Sequence, residues 1–142
     1  MNAIICIDNQ NGIAFNHRRQ SRDKVLIGDM LSFVGEKPLY VSTYSAMLFA
    51  EEDQKAIRLS DAPHIECPQG SWCFLELMDP KKIEHQIETL IIYRWNKIYP
   101  ADLFFTIELG GQSPWKLRET KDFPGSSHEQ LTREVYIKES SR

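Results

Sequence analysis

The chain has 142 residues, 42% of them hydrophobic, which is enough for one sizeable core and too short for two comfortable domains. A formal net charge of −3 and a pI near 5.8 give no overall attraction to phosphate backbones or anionic membranes, so nucleic acid is not the expected partner. The apolar runs are strand-sized, and the N-terminus lacks the features of a secretory signal, so we expect a single cytoplasmic domain over residues 1–142 with no membrane span.

The N-terminal quarter predicts a strand followed by a helix. Residues 3–7 form a short apolar run that ends in turn residues, and a strand at this point is expected to be central. Residues 21–34 place apolar side chains at helical spacing. We expect Ser21 to cap this helix, with Asp23 in its first turn, where a carboxylate suits the exposed N–H groups.

The next segments predict a second strand–helix unit and a third strand. Residues 39–41 read as a buried strand, residues 42–49 as the start of a short helix, and residues 56–60 as a strand. Between residues 65 and 79 the signals are mixed, and residues 72–75 fit either a strand or a buried hook.

The second half of the chain is richer in strand signals. Asp79 and the proline after it begin a helix, and strands are predicted over residues 89–93 and 103–109. Residues 115–123 and 131–138 alternate around a Pro-Gly-Ser-Ser-His linker, which predicts an antiparallel hairpin. The fold class is therefore α/β, a mixed and mostly parallel sheet flanked by helices with a C-terminal antiparallel hairpin.

Cysteine and histidine spacings predict no metal site. Cys6, Cys67 and Cys73 are too far apart in the sequence for a zinc knuckle or a redox motif, so we expect free thiols. The histidines share no metal-ligand spacing.

The order and spacing of several segments resemble the dihydrofolate reductase family. The family opens with a buried strand and a Gly-Ile-Gly-like step, continues through a loop and helix into a Lys-Pro strand, and closes with a hairpin. The matching segments are Gly-Ile-Ala at 12–14, Lys-Pro-Leu-Tyr-Val at 37–41, Ile-Arg-Leu-Ser at 57–60, Leu-Phe-Phe-Thr at 103–106 and residues 115–142. The resemblance implies NADPH-dependent reduction of dihydrofolate on a sheet of this kind.

The acid that the family uses to protonate its substrate is missing at the matching position. Without a gap, that position in the first helix holds Leu26, whose aliphatic side chain cannot act as a general acid. A small register shift makes Asp29 the catalytic acid, because Phe33 then follows at the family's acid-to-phenylalanine spacing. The resemblance also assigns Ile5, Leu26, Met30 and Thr106 to the substrate pocket.

The cofactor-binding positions depart from the family as well. Ser42-Thr43-Tyr44-Ser45 stands where the family has a Gly-Arg-x-Thr step, so the phosphate-binding arginine is missing, although Thr43 and Ser45 can still donate hydrogen bonds to an anion. The family has a Gly-Gly pair that lets the backbone approach the phosphates. In this sequence Tyr93-Arg94-Trp95 stands at that place. Either the rings fill the cofactor space, or Arg94 meets an anion while the rings stack on a flat ligand.

Two functions follow from these departures. The first is a scaffold without reductase activity and without cofactor that binds another, unidentified protein, as proteins encoded by phages or mobile elements sometimes do. The alternative is a divergent dihydrofolate reductase that uses NADPH, with Asp29 as acid and Thr43 and Ser45 near the phosphates. The basic run at residues 17–22, which also lacks the family's loop tryptophan, is either a solvated loop or a surface for an acidic protein partner or a nucleic-acid backbone. The chain is expected to be a monomer or a homodimer.

Overall fold

A computed structural model describes residues 1–139 and has ten strands in that part of the chain. Residues 140–142, which the predicted domain and hairpin segment include, lie outside the described residues. In chain order the strands are β1 (Asn2–Ile7), β2 (Gly12–Phe15), β3 (Arg18–Arg19), β4 (Leu39–Val41), β5 (Ile57–Leu59), β6 (Trp72–Leu75), β7 (Thr89–Arg94), β8 (Leu103–Phe104), β9 (Trp115–Phe123) and β10 (Leu131–Lys138).

Seven of these strands form one mixed sheet in the order β5-β4-β6-β1-β7-β10-β9. The first five strands of that order are parallel to one another, whereas β10 runs antiparallel to β7 and β9 antiparallel to β10. A second, three-stranded sheet has the order β3-β2-β8. The predicted fold class, a mostly parallel mixed sheet with a C-terminal antiparallel hairpin, is confirmed.

The helices are short and lie between the parallel strands in sequence. They are α1 (Lys24–Val34), α2 (Thr43–Ala46) and α3 (Pro63–Glu66), with 3-10 helices at Met47–Phe49 and Pro80–Gln86. The longest of them has 11 residues, and no helix in the described part of the chain has the length and apolar character that a membrane span needs.

Both faces of the parallel strands are covered, which explains why their sequences are apolar runs rather than alternating patterns. In β1, Ile4 packs toward α1 while Ile5 packs toward the other face, and both are fully buried. We call the two sides the helix-side core and the opposite core. The helix-side core includes Ile4, Leu26, Met30, Phe74, Ile91, Tyr93 and Trp95, and the opposite core includes Ile5, Leu90, Ile92, Phe105, Ile107 and Trp115.

The start of α1 differs from the sequence prediction. The cap is Asp23, not Ser21, and the helix begins at Lys24. The Asp23 carboxylate accepts hydrogen bonds from the backbone N–H groups of Val25 and Leu26, which are among those that a helix start leaves unpaired.

The predicted strand over residues 103–109 is wrong beyond Phe104. Phe105 and Ile107 are buried, while Thr106 and Glu108 are exposed, so the segment alternates as a strand does. Among the described residues no strand pairs with 105–109. The segment instead places its two apolar side chains in the opposite core.

Two other segments become definite in the structure. Residues 72–75, which fitted a strand or a hook, form β6, and all four side chains are buried between β1 and β4. The helix predicted after Asp79 is a kinked 3-10 helix capped by the Asp79 carboxylate, and Ile83 and Ile87 are both buried.

Candidate functional site

The carboxyl edge of the parallel strands is the candidate site, because open α/β sheets generally bind their ligands there. The residues that directly follow β1, β6 and β7 at this edge are Asp8, Glu76 and Trp95. Three hydrogen-bonded clusters of polar side chains lie in this region. They are centred on Asp29, Glu76 and Asp23.

Leu26 is fully enclosed in the helix-side core, with 1% of its surface exposed. Its neighbour in the predicted substrate pocket, Met30, is buried in the same core. Ile5 lies on the other side of the sheet, and Thr106 is exposed and bonded to Asp79. The structure therefore brings Leu26 and Met30 together and leaves Ile5 and Thr106 apart from them.

Asp29 is engaged in an ionic cluster at the junction of α1 and the hairpin. Both of its oxygens accept from Arg133 Nη1, at 2.8 and 2.7 Å, and Oδ2 also accepts from the Tyr93 hydroxyl at 2.7 Å. Burial and the hydrogen bond to Asp29 raise the pKa of Tyr93, so its hydroxyl stays protonated and keeps donating. The carboxylate predicted as the acid is thus held by two structural partners.

Ser45 and Thr43 lie at the start of α2, which faces the carboxylate of Glu76. The Ser45 hydroxyl donates to Glu76 Oε1 at 2.6 Å, while Thr43 is exposed. Arg19 forms a bidentate ion pair with the same Glu76, through Nε at 2.8 Å and Nη2 at 3.0 Å. Its guanidinium stacks on the Tyr44 ring, 4.2 Å from the ring centroid. An incoming phosphate would meet Glu76 at this point and an arginine that is already neutralised.

Arg94 does not join this cluster. It follows Tyr93 along β7 and therefore points to the other side of the sheet, where its Nε donates to Glu134 at 2.7 Å. Arg94 lines a cleft of about 850 Å³ with the segment 105–114. The three residues predicted to bind cofactor are therefore divided between the two faces of the sheet.

Trp95 occupies the strand end where the family resemblance places a glycine pair. Its backbone N–H donates to Ile7 O at 3.0 Å, which extends the parallel ladder, and its side chain is 4% exposed. The ring stacks on His128, with centroids 4.8 Å apart and an angle of 25° between the planes. Tyr93, two residues earlier, is fully buried in the helix-side core.

A buried Asp–His pair joins the start of α1 to loop 124–130. The Asp23 carboxylate accepts from six donors, two in α1 and four in the loop. These are Val25 N, Leu26 N, Ser126 N, Ser126 Oγ, Ser127 N and His128 Nδ1, at 2.8–3.2 Å. Burial disfavours the charged form, but the hydrogen bonds from His128 and the backbone outweigh it and hold the pKa of Asp23 well below its usual range.

The other ring nitrogen of His128 faces two hydroxyl groups. Nε2 lies 3.0 Å from Ser21 Oγ and 3.1 Å from Tyr99 Oη, so Ser21, His128 and Asp23 are arranged like a nucleophile, base and orienting acid. The cavity beside Ser21 is about 10 Å³, however, which is room for about one water. An acyl group does not fit there, and the cluster acts as a clamp between the helix and the loop.

Sequence reasoning missed this clamp. It placed His128 only in the linker of the predicted hairpin, whereas four donors of that loop bond to the Asp23 carboxylate and hold the loop in place. The only sequence signal was an aspartate immediately before the apolar helix pattern, which is a typical cap position. Its partners lie more than 100 residues away.

A separate groove lies between α1 and the 3-10 helix Met47–Phe49. It has a volume of about 620 Å³. The side chains at its rim combine apolar and charged groups, including Arg22, Lys24, Met47, Glu51 and Glu52. Met47 is 67% exposed, and Lys24 and Glu51 form a solvent-exposed ion pair at 3.4 Å.

Residues 1–139 contain no cluster of three or more His, Cys, Asp or Glu side chains that could hold a metal ion. Cys6, Cys67 and Cys73 are free thiols, and burial raises the pKa of each. They therefore stay protonated at neutral pH and are poor ligands and poor nucleophiles.

The chain matches no protein-family model and no curated protein sequence. Among solved structures, it is similar to dihydrofolate reductase from Enterococcus faecalis complexed with NADP(H) and RAB-propyl. The TM-score is 0.65 at 10% sequence identity, over 98% of this chain and 96% of that chain. The fold is therefore dihydrofolate reductase-like along nearly the whole chain.

Proposed function

We propose that this chain uses a dihydrofolate reductase-like scaffold without reductase chemistry, binds no nicotinamide cofactor, and acts by binding another protein. The loss of cofactor binding is supported by the end of β7, which Trp95 occupies. The Trp95 ring, stacked on His128, takes the space that a Gly-Gly pair leaves open for a dinucleotide in the family.

The lack of a free acid beside the predicted substrate pocket also supports the loss of reductase chemistry. Leu26 has no ionisable group, and the Asp29 carboxylate already accepts from Arg133 and Tyr93. For Asp29 to protonate a substrate it would have to give up the Arg133 guanidinium and the Tyr93 hydroxyl, and Arg133 would keep only Glu119 as its charged partner.

The experiment that tests this part is a titration with NADPH followed by a turnover assay with dihydrofolate. Because Trp95 lies at the proposed entry point, a cofactor bound there would change the tryptophan fluorescence. We expect a flat titration and no turnover above the rate without protein, with an active dihydrofolate reductase as the positive control. Saturable quenching accompanied by turnover would overturn the proposal in favour of a divergent reductase with Asp29, Thr43 and Ser45 in the site.

The partner-binding part rests on the groove between α1 and Met47–Phe49. Exposed methionines adapt to different partner shapes, and Met47 lines the groove together with the exposed cation Arg22, while Lys24 is paired with Glu51. His17, in the turn between β2 and β3, and Arg18, in β3, are further exposed side chains of the basic run that precedes α1. This combination fits a partner that presents apolar side chains flanked by carboxylates.

The matching experiment is affinity capture from the organism that encodes the chain, with two charge-reversed variants. Arg22→Glu changes the groove rim, and Lys82→Glu changes an exposed lysine of the 3-10 helix Pro80–Gln86 as a control. We expect the captured protein to be retained by the control and bound about tenfold more weakly by Arg22→Glu, a loss of ~1.4 kcal/mol. Equal capture by both variants would show that the groove is not the binding surface.

A further inference from the structure

The cleft beside Arg94 lies on the side of the sheet away from α1. Its volume of about 850 Å³ is in the range of small-molecule sites, and its lining residues are all different from those of the groove between α1 and Met47–Phe49. At Gly110 and Gly111 an added Cβ would meet no atom within 4 Å, so this end of the cleft is open. One wall is the irregular segment 105–114, with the apolar side chains Phe105, Ile107, Leu109 and Pro114.

The guanidinium of Arg94 is held in a fixed position by β10. Glu134 Oε1 accepts from Arg94 Nε at 2.7 Å and from the Tyr136 hydroxyl at 2.9 Å. Burial disfavours the charged form of Arg94, but the hydrogen bond and the charge of Glu134 outweigh it and raise the pKa of Arg94. A guanidinium fixed in this way loses little side-chain freedom when it binds a ligand.

The terminal nitrogens of Arg94 remain available to a ligand. The hydrogen bonds within residues 1–139 include one from this guanidinium, through Nε, and 27% of the side chain is exposed. Arg19 is different, because its Nε and Nη2 both donate to Glu76 and Nη2 also donates to Tyr44 O. The two parallel N–H groups at the end of an arginine match the two oxygens of a carboxylate. Arg94 can therefore bind a carboxylate in addition to Glu134, whereas Arg19 is already occupied.

The other charges of the cleft favour a ligand with a single negative charge. Lys81, Glu84 and Glu108 also line the cleft, and Lys81 pairs with Glu84 at 2.8 Å. With Glu134 behind Arg94, three carboxylates are set against two cations. This surplus of negative charge repels a dianionic phosphate ester. A carboxylate carries one charge and still fits the end of the arginine through two hydrogen bonds.

We infer that this cleft binds a small molecule that carries one carboxylate on an apolar body. The carboxylate accepts from the terminal N–H groups of Arg94, and the body lies along Leu109 and Pro114. This ligand site is independent of reductase chemistry and of the groove, since it lies on the opposite face of the sheet from Trp95 and α1.

The test is an NMR titration of ¹⁵N-labelled protein with benzoate as the probe and benzamide as its neutral analogue. The Nε–H signal of Arg94 is the direct reporter, because its hydrogen bond to Glu134 slows exchange with water. Benzoate should shift this signal and the backbone amides of residues 105–113 saturably, with a dissociation constant on the order of millimolar, as expected for a fragment. Benzamide should cause no saturable shift, and phenyl phosphate should bind more weakly than benzoate.

Two variants remove the terminal N–H pair without leaving a charged Glu134 unpaired. Arg94→Lys keeps the charge but offers a single nitrogen, so benzoate should bind about tenfold more weakly. Arg94→Gln combined with Glu134→Gln removes both charges and keeps two groups that can hydrogen-bond, so the saturable shifts should disappear. Arg118→Gln, which removes an exposed guanidinium of β9, is the matched control and should bind benzoate like the wild type. The amide signals outside the cleft report whether each variant is folded.

Three results would contradict the inference. They are no saturable shift with benzoate at concentrations up to about 20 mM, equal shifts with benzamide, and equal benzoate affinity in the wild type and Arg94→Lys. Tighter binding of phenyl phosphate than of benzoate would show that the carboxylate assignment is wrong. The NADPH titration reports on Trp95 at the other face of the sheet, so failure of either proposal is recognised separately.

Discussion

A single carboxylate, Asp23, joins two parts of the chain that are distant in sequence. It caps α1 and at the same time accepts from Ser126, Ser127 and His128 in the loop between β9 and β10. Its side chain is completely buried. A buried charge is tolerated only when it is fully hydrogen-bonded, and here six donors meet that requirement.

Because the pKa of Asp23 is lowered in the folded state, the folded protein binds this proton more weakly than the unfolded chain does. The stabilisation is therefore complete above the unfolded pKa of about 3.9 and is lost as the pH falls below that value toward the folded pKa. We expect Asp23→Asn to lower the free energy of unfolding by about 2–3 kcal/mol at neutral pH and to flatten its dependence on pH below about 4.

Urea unfolding at a series of pH values measures both effects. Asp61→Asn, which removes an exposed carboxylate, is the control and should change neither the stability nor its pH dependence appreciably. An Asp23→Asn variant that loses stability in acid as steeply as the wild type would contradict this account.

At the scale of elements, two glycines provide a matched comparison of helix and loop. Gly28 lies inside α1, and a Cβ added there would meet no atom within 4 Å. Gly125 lies in the loop after β9, and a Cβ there would collide with the Asp23 carboxylate and come within 2.9 Å of Leu131 Cδ1. The same substitution should therefore have opposite effects at the two positions.

We expect Gly28→Ala to raise the free energy of unfolding by up to ~1 kcal/mol, because alanine favours helix over glycine. Gly125→Ala should lower it by about 1–3 kcal/mol, because the clamp around Asp23 must move. Both changes reduce the freedom of the unfolded chain similarly, so the difference between their urea midpoints reports the folded state. A Gly125→Ala protein as stable as the wild type would show that the loop can move without cost.

Elements with a clear local pattern were predicted well from the sequence. The hairpin strands 115–123 and 131–138 were assigned with the bounds that the structure has, since turn residues mark both inner ends. The turn between β2 and β3 was missed. Asn16 and His17 both have positive φ there, a conformation of tight hairpin turns that the sequence pair Asn-His does not signal strongly.

At the scale of the whole molecule, the sheet order brings together segments that are far apart in sequence. β1 pairs with β6 and β7, whose residues lie about 70 to 90 positions later. Those pairings create both cores and line up the strand ends at the candidate site. They also leave β9 at the edge of the sheet, with its central residues exposed.

The composition, the apolar runs and the turn residues by themselves determined the fold class, most strands and the departures from the family at Leu26 and Trp95. These features are local, and a residue type excludes a chemistry wherever it is placed. Only the tertiary structure decided the partners of each charge: Arg133 for Asp29, Glu76 for Ser45, Glu134 for Arg94 and His128 for Asp23. Which charges meet depends on strand order and on packing between distant segments, and no pattern along the chain encodes these directly.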